Sequence, residues 1–167
     1  LSDNAPHHAM TFMIADIAAL QYMYGADFTT QSGNTTYTWN ALTGAFSING
    51  IAQFQAIANY VFQAVWDGNG VDTYNFSNFA TNLTVDLRPG GYTILPGLLA
   101  NLGNDGGADH FARGSIYNAY QYNGDLRSLI ENAYGGGGSD AIYGNQVSNY
   151  LFGLGANDSL VGNAGAD

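Results

Sequence analysis

Asp140, Asn149, Asp158 and Asp167 stand nine residues apart, as do Gly135, Gly144, Gly153 and Gly162, and Ile142, Leu151 and Leu160. A fixed period of this kind is a repeated structural unit rather than a compositional bias. Each unit joins glycines, which turn freely and leave their carbonyl oxygens bare, to a hard side-chain oxygen. Alternation along a short strand sends the aliphatic residue to the opposite side. With two units per turn of a flat parallel coil, residues eighteen apart stack, and Asp140 comes within about 4.8 Å of Asp158. Carboxylates that close repel unless a cation lies between them. Calcium accepts about 6–8 oxygens, carboxylate and carbonyl mixed, whereas magnesium demands a tighter octahedron and keeps its waters. The chemistry expected of these residues is calcium binding, with Gly136, Gly138, Asp140, Gly153, Gly155 and Asp158 as donors.

The units are uneven. Gly144–Phe152 lacks the extra glycines and carries Asn149 in place of an acid. Nine residues before Asp140 stands Glu131, the one glutamate of the chain. Two columns are therefore expected, Asp140 with Asp158, and Glu131 with Asn149 and Asp167. The first should hold calcium more tightly, because Asn149 removes a charge from the second. A flexible Gly/Ser/Asn linker is the plain alternative, but a linker has no reason to keep Ile142, Leu151 and Leu160 in step with the acids. A second cluster, Asp67-Gly68-Asn69-Gly70-Val71-Asp72, sets two carboxylates around two glycines. It suits a tight calcium loop, although an acidic turn between strands would read the same way alone. It departs from an EF-hand, since Val71 replaces an oxygen ligand and Asn78 stands where the bidentate glutamate belongs.

The elements that must position these groups are mainly β. One helix is expected over 11–24, with Met13, Ile17, Leu20 and Tyr24 as its apolar stripe, Thr11 capping it and Gly25 ending it. Short strands are expected near 36–39, 45–48, 61–66, 73–76, 83–87 and 115–121, a short helix over 50–60, and loop over 89–112. Trp39, Trp66, Phe76 and Phe79 read as core. The chain divides into 1–25, a linker and helix; 26–125, a β-sandwich; and 126–167, the nonapeptide coil.

The 167 residues carry no lysine and no cysteine, and three arginines face thirteen acids for a net charge of −10. That charge excludes nucleic acid and anionic membranes as partners. Without cysteine there is no disulfide framework, and calcium can take over that stapling. No apolar run is long enough to span a bilayer, and no signal peptide opens the chain. Beginning without Met and stopping inside a repeat, the chain reads as a fragment.

The repeats resemble the RTX nonapeptide G-G-x-G-x-D-x-U-x. Three further stretches resemble serralysin-type metallopeptidases of the M10 group: Asp16–Gln21 with Tyr24–Asp27, Val65–Thr73, and Ile130–Ala133 running into Gly135-Gly136. Together they cover nearly the whole chain. The resemblance implies a β-sandwich leading into a calcium-binding β-roll. Carried over by position, it makes Asp67 and Asp72 side-chain ligands. It makes Gln31, Gly33, Thr35, Asn69, Gly70 and Leu129 carbonyl donors and Glu131 a carboxylate donor. Gln31-Ser32-Gly33-Asn34 departs from the family's Arg-x-Gly-Asp, and 90–125 looks longer than usual. The resemblance further implies a parent zinc metalloendopeptidase, secreted from a bacterium by a one-step route without a cleaved signal. The catalytic domain elsewhere in that parent would be this segment's partner, and the segment itself a monomer.

No H-E-x-x-H motif is present, and His7, His8 and His110 are the only histidines, so no catalytic zinc is expected here. Two rivals remain. One is an RTX module of an adhesin or other exported hydrolase. The other is an enzyme built on His110 and Asp109. A sugar-binding face of Tyr117, Tyr120 and Tyr122 is a lesser possibility.

Overall fold

The structure, a computed structural model, describes residues 7–54 and 58–167. One helix, α1 (Ile14–Tyr24), precedes fourteen short strands. These are β1 (Thr36–Trp39), β2 (Phe46–Ile48), β3 (Ile51–Phe54), β4 (Gln63–Val65), β5 (Thr73–Asn75), β6 (Thr84–Asp86) and β7 (Tyr92–Thr93). The remainder are β8 (Asn101–Asn104), β9 (Asp109–Phe111), β10 (Ile116–Asn118), β11 (Asn132–Tyr134), β12 (Ala141–Tyr143), β13 (Tyr150–Phe152) and β14 (Ser159–Val161).

Two sheets carry the coil. One runs β13-β11-β5-β1-β2-β3 and the other β14-β12-β6. Asn132 pairs with Tyr150 and Ala141 with Ser159, so strands eighteen residues apart lie in parallel register. The nonapeptide period thus produces the coil it implies. The coil also extends below the repeats. Asn132 pairs with Thr73 on its other side, and Ala141 with Thr84. β5 and β6 therefore form a rung of their own, with β1 parallel beneath β5. Residues 87–131 leave the coil after this rung and return to it. Within them β10 and β7 join β4 in a third sheet, and β8 pairs with β9 in a hairpin. Asn145, buried in the degenerate repeat, donates from Nδ2 to Leu87 O (3.2 Å) and Ile130 O (2.8 Å), closing the gap where the excursion departs and returns.

The inner faces of the sheets share one core of Tyr37, Trp39, Phe46, Val65, Tyr74, Phe76, Val85, Ile116, Ala133 and Ile142, among others. Trp39 stacks with Phe46 and Phe76 and meets Tyr74 edge-on, at 5.2–5.3 Å between centroids. Trp66 lies at the margin of this core, half-buried, its Nε1–H donating to Asp27 O.

Several expectations about elements are corrected. The helix begins at Ile14 rather than 11, because the Thr11 hydroxyl bonds both Ala64 O and Ala64 N along β4 instead of capping α1. Asp16 takes the Met13 N–H in its place. The apolar stripe is half-buried at Met13, Ile17 and Leu20 and exposed at Tyr24, and Gln21 is the helix's buried residue. The helix expected over 50–60 is the strand β3 over its described start, since Asn49 and Gly50 at φ +50° and +76° turn the chain back on β2. Residues 55–57 of that expectation lie outside the described residues. The stretch 89–112, read as loop, contains β7, β8 and β9. No helix among the described residues is long and apolar enough to cross a membrane.

Candidate metal centre

Each strand of the coil is preceded by one residue that fixes its position in a column. Parallel register along β1, β5, β11 and β13 stacks Thr35, Asp72, Glu131 and Asn149, with Asp167 following one turn further on. Backbone amides bind the column together. Thr35 N–H donates to Asp72 Oδ1 (2.8 Å), Asp72 N–H to Glu131 Oε2 (2.7 Å), and Asn149 N–H to Asp167 Oδ1 (2.8 Å). On the opposite corner Leu83 N–H donates to Asp140 Oδ1 (2.8 Å) and Asp140 N–H to Asp158 Oδ1 (2.9 Å). The two sequence clusters are thus one construction, because the Asp67–Asp72 loop ends on the column that holds Glu131. Sequence alone missed Thr35 and Leu83 as column members below the repeats.

This geometry modifies the expected repulsion at Asp140. Its two oxygens receive the amides of Leu83 and Gly136 (2.8 and 2.7 Å), and Asp158 receives the amide of Asp140. Positive amide hydrogens already face these carboxylates. Asn149 is held likewise, its Oδ1 receiving Asn145 N–H and its Nδ2 donating to Glu131 O. The glycines let successive rungs pack closely: a Cβ added at Gly135 would meet Gly153 O at 2.7 Å, and one at Gly138 would meet Thr81 O at 2.6 Å. Gly136 approaches Phe79 O and Gly155 packs on Gly137.

The junction is different. Asp67 and Asp72 are 1% and 0% exposed. Asp67 Oδ1 accepts from Asn69 N–H (3.0 Å), and its Oδ2 from the buried Tyr37 hydroxyl (2.6 Å). Asp72 Oδ2 is buried with no hydrogen-bond partner. Burial, then the charge of Asp67 and lastly that of Glu131, pushes the Asp72 carboxyl up to about 8, against the Thr35 amide. Burial likewise pushes Glu131 up to about 7 and raises Asp67. Desolvated carboxylates of like sign cannot all ionise without a counter-charge. The described residues offer none. Lysine is absent, Arg88 pairs with Asp86, Arg127 with Asp125, and Arg113 lies 5.3 Å from the Tyr92 ring centroid.

Donors for a cation are at hand. The 28–35 and 67–72 loops are pressed together, with Gly68 N–H donating to Thr30 O (2.8 Å). Gly70, at φ +146°, leaves no room for a Cβ, which would lie 2.8 Å from both Gly33 O and Asp72 Oδ1. Among the described residues no three acidic or histidine side chains converge on one metal by themselves. A hard ion here would need carbonyls beside carboxylates, which is calcium's habit and not zinc's. Gly33, Thr35, Asp67, Gly70, Asp72 and Glu131 are brought together. Gln31 sits at the bend of the first loop with φ +48°, Asn69 at the exposed tip of the second, and Leu129 is buried two residues before Glu131.

The histidines stand apart from all this. His7 stacks on Tyr60 at 3.9 Å, and its Nδ1 accepts from Asn101 N–H. His110 pairs with Asp105 (3.1 Å), not with Asp109, and both are well exposed on the β8–β9 hairpin. Asp109 instead accepts from Asn104 Nδ2 (3.0 Å), so the expected pairing of His110 with Asp109 is not the one the structure has. Tyr117 packs against Phe62 and Tyr92 while Tyr120 lies over Gly90.

The family model described as the peptidase M10 serralysin C terminal matches residues 26–110, about half of the chain. The chain belongs to this serralysin C-terminal family. A metallopeptidase AprA of Pseudomonas marginalis is 35% identical over 83% of this chain and 24% of its own length. A serralysin of Proteus mirabilis is 34% identical over 83% and 23%, and serralysin C of Dickeya chrysanthemi 34% over 84% and 24%. This serralysin C-terminal chain therefore spans about a quarter of the length of the curated relatives it matches.

Proposed function

We propose that this chain is a calcium-binding, calcium-folded C-terminal domain of a secreted zinc metalloendopeptidase, without a catalytic site of its own. The observation that carries the reading is the junction where the buried Asp67 and Asp72 carboxylates face each other, with Glu131 bonded to the Asp72 amide and no cationic side chain among the described residues beside them. Bound calcium supplies two positive charges and room for about 6–8 oxygens. Asp67, Asp72 and Glu131 would hold it with their carboxylates, and Gln31, Gly33, Thr35, Asn69, Gly70 and Leu129 with carbonyls. In the coil, Asp140 and Asp158 with Gly136, Gly138, Gly153 and Gly155 form a second donor set. Asn149 and Asp167 form a third, weaker one. Because Asp67 and Asp72 are buried against each other and Asp72 Oδ2 has no donor among the described residues, whereas both Asp140 oxygens are already bonded, the junction rather than the Asp140 column is the tightest site.

The consequence for the domain is linkage. Where calcium is scarce, the three acids must take up protons or separate, and either opposes folding at neutral pH. Where it is about millimolar, as outside a cell, binding free energy becomes folding free energy. Such a chain suits export as an unfolded polypeptide and folding afterwards. Zinc and proteolysis would belong to the catalytic part of the parent; the name metallopeptidase carried by one relative supports a metal-dependent proteolysis there.

Calcium titration of the chelator-treated protein, followed by circular dichroism and calorimetry, tests the reading. A saturable, calcium-dependent gain in ordered β structure and melting temperature is expected. Full β structure and an unchanged melting temperature in excess chelator would overturn it.

A further inference from the structure

Three Asn-Gly pairs occur in the chain, Asn49-Gly50, Asn69-Gly70 and Asn123-Gly124. Asn49 and Asn123 occupy left-handed turns, at φ +50° and +52°, each followed by a glycine at positive φ. Those turns fix the rotation between the asparagine and the next amide. The Asn49 side chain is further held by the Thr36 N–H (2.8 Å). Asn69 differs on each count. It lies outside the left-handed region and is exposed. Among the described residues its side chain makes no hydrogen bond, and the Gly70 N–H donates to no protein atom. Both atoms of a ring closure are therefore unengaged, and Gly70 has no side chain to shield them.

We propose that Asn69 is a site of spontaneous deamidation, held off by a cation in the same loop. The Gly70 nitrogen, on losing its proton, attacks Asn69 Cγ. A carbon–nitrogen bond forms, and the side-chain amide leaves as ammonia, carrying the proton. Water then opens the five-membered imide at either carbonyl, giving aspartate or isoaspartate, with no redox change. Either product adds a negative charge beside the buried Asp67 and Asp72. Isoaspartate also lengthens the main chain by one carbon just before Gly70. That glycine is packed against Gly33 O and Asp72 Oδ1 too closely to accommodate even a Cβ, so the loop cannot absorb the extra atom unchanged. The protective half of this inference rests on the calcium reading above: carbonyls of Asn69 and Gly70 engaged by the ion cannot swing into the attacking geometry.

The test incubates the intact chain at mildly alkaline pH with chelator or with excess calcium and maps isoaspartate by peptide mass spectrometry. With chelator, at a temperature where circular dichroism still reports β structure so that the Asn49 and Asn123 turns persist, Asn69 is expected to convert several-fold faster than Asn49 and Asn123, and calcium is expected to slow Asn69 several-fold. Equal conversion at the three sites, or none at Asn69, overturns the site. A rate at Asn69 indifferent to calcium overturns its protection. Calcium binding by fresh protein, measured calorimetrically in parallel, separates the two ideas: fresh protein that binds no calcium sinks the metal reading and leaves the chelator arm to judge the site alone.

Discussion

Replacing Asp72 with Asn separates the cost of the buried charge from the benefit of the ion. In the metal-free fold Asp72 holds its proton up to about pH 8 instead of about 4. At pH 7 the folded chain must therefore take up a proton that the unfolded chain has released, which costs on the order of 4 kcal/mol. An asparagine carries no such cost. Its Oδ1 can keep the Thr35 N–H, and its Nδ2 gives the neighbouring Asp67 a donor without the uptake of a proton. Asp72→Asn should therefore stabilise the chelator-treated protein by about 2–4 kcal/mol, moving a urea midpoint upward by on the order of 1–2 M. In calcium the same change removes one charged donor, and affinity should fall about tenfold or more. Urea unfolding at pH 7, with chelator and with calcium, reads both effects. A variant less stable than wild type in chelator, or one keeping the full calcium-dependent gain, would refute the reasoning.

Other perturbations have their own signatures. Asp72 and Glu131 both have folded-state values above their ordinary ones, so the metal-free fold binds more protons than the unfolded chain. Its stability should fall as pH rises from about 4 to 8, and calcium should flatten that slope, which denaturation in chelator across this range will show. Tyr37→Phe removes the 2.6 Å donor to Asp67 and should cost about 1.5–3 kcal/mol in calcium, measured by the same unfolding assay. Ile142→Ala, at a fully buried position, should cost about 2–5 kcal/mol. Leu160→Ala, at the same position one turn later but 45% exposed, should cost less than about 1 kcal/mol, so equal losses would contradict the placement of β14 at the rim.

The coil was legible in the sequence because its period is short and strict. Eighteen-residue stacking follows from Gly135, Asp140 and Ile142 recurring in step. The rung beneath was not legible. Asp72 meets Glu131 across 59 residues and Leu83 meets Asp140 across 57, distances that no periodicity advertises. The only trace is chemical, an acidic loop and a lone glutamate that each need a partner. The stretch 50–60 begins with the strand β3 rather than a helix, because the Asn49-Gly50 turn folds Ile51–Phe54 back on β2. The β8–β9 hairpin was hidden by its Asn and Gly content, since backbone pairing, not side-chain preference, makes those strands. Asn145 read as a flaw in the repeat. An amide where the pattern asks for glycine was the available signal that something other than metal had to be held there.

The central claim is that a divalent ion, not a shared proton, resolves the junction of Asp67, Asp72 and Glu131. Crystals grown in excess calcium and measured for anomalous scattering address it directly. A strong peak beside Asp72 Oδ2, ringed by carboxylates and loop carbonyls, is expected. Featureless anomalous density there, with the Asp67 and Asp72 carboxyls hydrogen-bonded to each other, would contradict it.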